Sequence, residues 1–198
     1  MPTETDWAEN LRSRMEELFV SAEECFAHKR ILPGLILVYS AMDILASLSR
    51  PAHRDEAGRR GFIEWVKIYL LPGSKLTCTP EDLYGARCGL LHTYSAESRF
   101  SHEGKARQVY YAWGTADAED LDATVGITSF RNLAVAVHID ELLIALKSGF
   151  QKFMKDVAND PERGQLVRMR VGKIFGPVPL ELVAEAADLA RGRSGNLP

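Results

Sequence analysis

Residues 31–51 read ILPGLILVYSAMDILASLSRP, and the fold is organised around them. From Leu35 to Leu48 the run is apolar nearly all round. A helix hydrophobic on every side belongs at the centre of a fold, where other helices cover it. Pro33-Gly34 breaks the chain before it, and Ser49-Arg50-Pro51 stops it afterwards. One carboxylate, Asp43, sits inside the run. A buried acid there is costly unless paired. Its expected partner is Arg87 or His92; the plainer reading gives it a backbone group, Tyr39 or Tyr84, and a role in packing alone.

Working outward, Trp7–Arg30 carries Leu11, Met15, Ala22 and Phe26 at helical spacing, with acids opposite. Arg54–Arg60 is a charged connection or short cap. Gly61–Leu71 is a third helix with Phe62, Trp65, Val66 and Tyr69 as its apolar stripe, ended by Pro72-Gly73-Ser74. Thr79-Pro80-Glu81-Asp82 opens the next helix with an N-cap threonine, a first-turn proline and first-turn acids.

The pattern then changes. Gln108–Trp113 (QVYYAW) reads as a strand, with Val125–Thr128 its expected partner. Phe130–Val157 reads as one long helix, Val167–Ile174 as a strand or extended arm, and Pro179–Arg191 as a last helix before a fraying tail. The sum is a mainly α fold: a bundle of four to five helices over 1–157, a two-stranded β insertion at about 105–129, and a C-terminal extension over 158–198.

At 198 residues the chain can build one good-sized core. No segment approaches the roughly 20 continuous apolar residues of a membrane helix, so no membrane partner is expected. The polar, acidic start MPTETDWAEN is unlike a secretory signal. Three cysteines without metal spacing favour a reducing cytoplasm and no metal centre. Gly58–Gly61 (GRRG) fits no phosphate-loop spacing, so no cofactor is expected. The net charge of −3 disfavours a general nucleic-acid coat but leaves room for a small basic cleft. The basic cluster Arg168, Arg170 and Lys173 reads as solvated surface.

The chemistry concentrates in Tyr84–Ser95, YGARCGLLHTYS. Arg87 stands five residues before His92, and Tyr94 two beyond it. A planar cation binds phosphate oxygens, and an imidazole moves protons near neutral pH. Five residues on a helix turn through about 140°. A common cleft therefore needs the helix to loosen near Gly89, or long side chains converging from both flanks. Taken alone, Arg87 and His92 are a structural ion-pair or capping arrangement.

Arg-x4-His-x-Tyr on a helix behind two long helices resembles the HEPN (higher eukaryotes and prokaryotes nucleotide-binding) superfamily, in the form seen in HEPN toxins paired with small nucleotidyltransferase antitoxins. The phrases YSAMDILASLSRP, FIEWVKIYL, DLYGARCGLLHTYSAES and EGKARQVYY follow one another as in HEPN-like proteins of plasmids and phages. The likeness runs from about Leu11 to Asp156, leaving out the stretch after Asp160. One departure is Cys88, where many active members carry a polar residue.

The resemblance implies a metal-independent endoribonuclease in defence or toxin–antitoxin regulation. Arg87 would hold the phosphate, His92 act as base or acid, and Tyr94 orient the phosphate. Asp43, Tyr84 and Cys88 would support them. It also implies a homodimer with a composite cleft, RNA as substrate, and an antitoxin or nucleotidyltransferase partner for which Tyr94 would be the modified residue. Tyr94 read plainly is a helix-end packing residue.

Two other functions stay open: a non-catalytic HEPN-like module binding RNA, a nucleotide or a protein, and a helical scaffold in which Arg87 and His92 form an interface ion pair. Outside the motif, His102 and Glu103 line the cleft or lie on the surface. His28, His53 and His138 read as solvated, Trp65 and Tyr69 as core, and Cys88 as a plain buried thiol or one activated by Arg87.

Overall fold

The computed structural model describes residues 6–93, 99–127 and 132–173. Helices α1 (Asp6–Ala27) and α2 (Ile31–Ser49) form a pair joined by a three-residue turn, in which Lys29 takes the left-handed conformation. α2 lies at the centre, with α1, α3 (Gly58–Trp65), α4 (Pro80–Thr93), α7 (Ile139–Asn159) and α8 (Pro161–Val171) against it. Leu35, Val38, Met42, Leu45 and Leu48 of α2 are buried. Burying such a side chain is worth about 1.5–3 kcal/mol. α2 is also the one helix among the described residues long and apolar enough to cross a membrane, and half of that stretch is buried by other helices. Pro33-Gly34 does not precede the helix but falls in its first turn, where a proline lacking an N–H is tolerated. Gly34 brings Phe26 of α1 so close that a Cβ would lie 2.3 Å from the ring.

The third helix begins at Gly58, inside the segment read as a connection, and continues as a π-helical turn over Val66–Leu70. Leu71 N donates to Val66 O across five residues. α7 crosses there at Gly149, where a Cβ would stand 3.1 Å from the Tyr69 carbonyl oxygen. Trp65 and Tyr69 are core, as expected. The α4 entry is also as read. Thr79 N donates to Asp82 Oδ2, and Asp82 N donates back to Thr79 Oγ1, a reciprocal capping arrangement.

The β insertion departs from expectation. Strand β1 (Gln108–Ala112) pairs in parallel with β2 (Ala134–His138), Gln108 facing Ala134 and Ala112 facing His138. Val125–Ile127 is not the partner strand, and Thr128, the last residue of that expected strand, lies outside the described residues. Residues Ala118–Gly126 form α6, whose first turn is acidic and whose start Asp117 secures by accepting from Glu119 N. Parallel strands cannot be joined by a tight hairpin, and α6 is the crossover between them. The insertion thus runs to residue 138, past the expected 129. The expected long helix starts only at Ile139, because Ala134–Val137 is buried as a strand while Leu133 is exposed. Asp122 of α6 accepts from Ala136 N, capping the far edge of β2.

Val167 and Val171 belong to helix α8, not to a strand or extended arm, and both are buried in the main core. α8 packs on α1, α2 and α7. Arg170 is not solvated surface either. Its guanidinium donates to the carbonyls of Leu48, Arg50 and Pro51, closing the C-terminal end of α2. The expected helix over 179–191 and the tail lie outside the described residues.

Candidate functional site

α4 is a regular helix through Gly89, so of the two routes to a common cleft, an end or loosening of the helix there is not the one taken. Side-chain reach closes the 140° gap instead. Arg87 extends along α4 until Nη1 stands 2.9 Å from His92 Nε2. A guanidinium has no acceptor, so Nη1 donates and Nε2 accepts. His92 is therefore neutral in this arrangement, with its proton on Nδ1.

Asp43, one helix away on α2, fixes the other side of the same guanidinium. Arg87 Nε donates to Asp43 Oδ2 at 2.9 Å and Nη2 reaches the same oxygen at 2.7 Å. Burial works against the charge on Arg87, but the bonds to Asp43 and the contact with Cys88 outweigh it and raise its pKa. Arg87 and Asp43 are partly buried, whereas His92 is exposed.

Tyr84 and Cys88 lie one turn apart on α4 and touch. Burial first, then Cys88, pushes the Tyr84 phenol above its ordinary pKa, against the pull of Arg87 and Arg59. Cys88 is half-buried, not fully buried. Tyr84 packs edge-on against Phe62 at 5.7 Å and against Phe100 of α5 (Arg99–His102) at 5.6 Å. Tyr94 lies outside the described residues. Tyr39 is not a partner of Asp43; its hydroxyl is 2.6 Å from that of Tyr111 on β1.

Two pairings that shape the surroundings of α4 and α7 escaped the sequence reading. Asp82, only 2% exposed, is bound by the Arg107 guanidinium at 2.7 Å and by the Arg107 backbone N–H at 2.6 Å. This ion pair ties the start of α4 to the approach to β1. The signal was an acid and a basic residue in quoted phrases, with no spacing rule to join them. His138 is the N-cap of α7, not a solvated side chain: Nδ1 accepts from Asp140 N and Nε2 donates to Gly114 O. His28 and His53 are exposed as expected, as are His102 and Glu103; Glu103 pairs with Arg99 and Lys105.

Several cavities among the described residues lie apart from Arg87 and His92. A cleft of about 510 Å³ opens at the C-terminal ends of the two strands, lined by Lys75, Asp117, Asp122 and His138. A groove of about 960 Å³ runs between α1 and α7, with Phe19, Val20, Phe150 and Met154 in it.

A scan of protein-family models found none that matches the chain, and searches of curated proteins and of solved structures found no significant match.

Proposed function

We propose that this protein is an endoribonuclease of the HEPN type, cleaving RNA in the cytoplasm through its own 2′-hydroxyl with no need of a metal. The observation that supports this most is the Asp43–Arg87–His92 chain of hydrogen bonds, which holds a phosphate-binding cation and a neutral imidazole within 2.9 Å of each other.

The chemistry runs as follows. A backbone phosphate draws Arg87 Nη1 toward its oxygens, and that same movement frees the lone pair of His92 Nε2. Nε2 takes the proton of the 2′-hydroxyl while O2′ attacks phosphorus. Arg87, kept in place by Asp43, stabilises the charge gathering on the phosphoryl oxygens. The P–O5′ bond breaks, leaving a 2′,3′-cyclic phosphate. The departing 5′-oxygen takes a proton from the His92 of a second copy, which serves as the acid once its own Arg87 has turned away and left Nε2 free to carry a proton. The exposure of His92 is compatible with a cleft completed by that second copy, and the active unit of this proposal is a homodimer. A defence or toxin–antitoxin setting, with an antitoxin or nucleotidyltransferase as regulator, belongs to the same proposal.

A second reading rests on one observation: Arg87 occupies His92 Nε2. If no substrate displaces it, the same surface is a non-catalytic module that binds RNA, a nucleotide or a protein.

The deciding experiment is cleavage of total RNA in excess EDTA by wild type, Arg87→Ala and His92→Ala. Cleavage by wild type that both substitutions abolish establishes the ribonuclease. Intact RNA with all three proteins moves the function to the binding module.

A further inference from the structure

Beside the cation–imidazole pair lies a second assembly that the cleavage chemistry does not use. The Arg59 guanidinium sits over the Phe100 ring, 5.3 Å from its centroid, and the Lys105 ammonium stands 5.9 Å from the same centroid. Arg59 and Lys105 are exposed, and Phe100 is half-buried with its ring packed edge-on to Tyr84. Both Arg59 and Arg87 act on the Tyr84 phenol, so the ring pair Tyr84–Phe100 bridges the two cations. Tyr84 is three residues from Arg87, one turn of α4. The charge is unbalanced: Arg99 and Lys105 share the one carboxylate of Glu103, and Arg59 has no carboxylate partner among the described residues.

Aromatic rings and arginine planes with surplus positive charge are what unpaired nucleobases stack on. A duplex keeps its bases stacked on one another and offers no free face to such a surface. An apolar ligand would gain nothing from the two cations, and a lone phosphate nothing from the ring.

We infer that Phe100, with Arg59 and Lys105 over its ring, is a stacking subsite for a nucleobase of single-stranded RNA, next to the phosphate held by Arg87. This rests on the ribonuclease reading and makes the enzyme selective for unpaired strands. Phe100 and Arg59 are positioning residues: they set which nucleotide lies against His92 without touching the reacting atoms.

The test uses the full chain and a short RNA with every 2′-hydroxyl methylated, which binds but cannot attack its own phosphate. Fluorescence anisotropy measures its Kd for wild type, Phe100→Leu and Arg59→Ala. The single strand binds wild type more tightly than the same sequence as a duplex. Phe100→Leu, with its melting temperature retained, raises Kd about tenfold. Arg59→Ala weakens binding and lowers the dependence of log K on log salt by about 0.7. Replacing a single base by an abasic site, scanned along the strand, weakens wild-type binding at one position and leaves Phe100→Leu unaffected there. The abasic scan uses wild-type protein and decides the question even if Phe100→Leu fails to fold. Equal binding of single strand and duplex, or no position sensitive to base removal, overturns the subsite. If wild type still cleaves total RNA while those results hold, the subsite alone is wrong. If wild type neither binds nor cleaves RNA, the ribonuclease reading falls and the subsite falls with it.

Discussion

A single oxygen of Asp43, Oδ2, receives both Nε and Nη2 of Arg87, leaving Nη1 aimed at His92. The guanidinium is thus oriented by a helix other than its own. Its position depends on the packing of α2 against α4 as much as on either sequence.

On the proposed ribonuclease reading, that relationship predicts a loss of cleavage from a residue that need not touch RNA. Asp43→Asn keeps the shape but removes the charge that anchors Arg87. Cleavage falls about 10- to 100-fold, the range for a misplaced catalytic group. Melting temperature separates this from unfolding, and an Asp43→Asn protein that folds and cleaves at the wild-type rate refutes the anchoring role.

The Arg87–His92 bond predicts a tautomer. In wild type the His92 ring is held as the Nδ1–H form, because Nε2 is the acceptor. Nitrogen NMR of the ring reads this directly. Arg87→Ala releases Nε2 and shifts the ring toward the usual mixture, and added inorganic phosphate shifts wild type in the same direction. An Nε2–H ring in the wild-type protein contradicts the hydrogen bond.

Alkaline pH should destabilise the fold. Burial, first among the causes, pushes the Cys78 thiol from its ordinary 9.0 up to about 12, and raises the phenol of Tyr39 well above its ordinary 10.0. Both groups lose their protons in the unfolded chain before they do in the native one. Above about pH 9 the unfolded state then binds fewer protons, and stability falls as pH rises. The Cys78 contribution is present in full below about pH 9 and is lost on the way to about 12, with a limiting slope of ~1.4 kcal/mol per pH unit. Urea unfolding at a series of pH values measures it. Cys78→Ala flattens the curve between pH 9 and 10, where the thiol dominates; an unchanged slope excludes Cys78 as its source.

Two glycines should respond in opposite senses to alanine. At Gly149 a Cβ meets the Tyr69 carbonyl of the π-helical turn at 3.1 Å, against backbone that cannot step aside. The crowding outweighs the gain in helix propensity, and Gly149→Ala costs about 1–2 kcal/mol. At Gly126, on the last turn of α6, nothing among the described residues lies within 4 Å of where a Cβ would stand. Gly126→Ala is expected to add about 0.5–1 kcal/mol. Thermal unfolding of the two variants checks both signs.

Much of the helical frame was legible because its signals are local. The all-round apolar face of α2 placed it in the centre, and Thr79-Pro80 with Asp82 marked the start of α4. Arg87 stood beside His92 as an expected partner of Asp43, because a lone acid in that run demands one; the choice between them, and against a packing role with Tyr39 or Tyr84, was left to the structure. The β region was not legible, for two physical reasons. Val125 and Thr128 are β-branched and suggest a strand, yet the Asp117 cap and acidic first turn commit the preceding residues to a helix. Ala134–Val137 continues the apolar spacing of α7, so strand and helix merge in the sequence. Arg107 gave no hint of Asp82, since nothing local links residues 25 apart. The sequence also left open how Arg87 meets His92. The answer lay in the length of the arginine, not in a defect of the helix.

The Asp82–Arg107 pair carries the last prediction. Arg107→Met removes the cation from a carboxylate 2% exposed but leaves it the backbone N–H groups of Thr79 and Arg107, and the loss is about 1–3 kcal/mol. Chemical denaturation reads the loss, and the double variant Asp82→Asn/Arg107→Met recovers part of it. A loss near zero in the single variant shows that water reaches the carboxylate.

The same pair gives α4 the mechanics of a lever. Asp82 is clamped to the strand insertion at one end of the helix, and His92 stands ten residues on, about 15 Å along the axis. A straight helix does not absorb a tilt at its base; it delivers it at its tip. Whatever grips or displaces the β1–α6–β2 unit therefore moves the imidazole relative to Asp43, which rides on a different helix. Under the proposed function, an effector that never approached the RNA would have a route to the distance on which cleavage would depend.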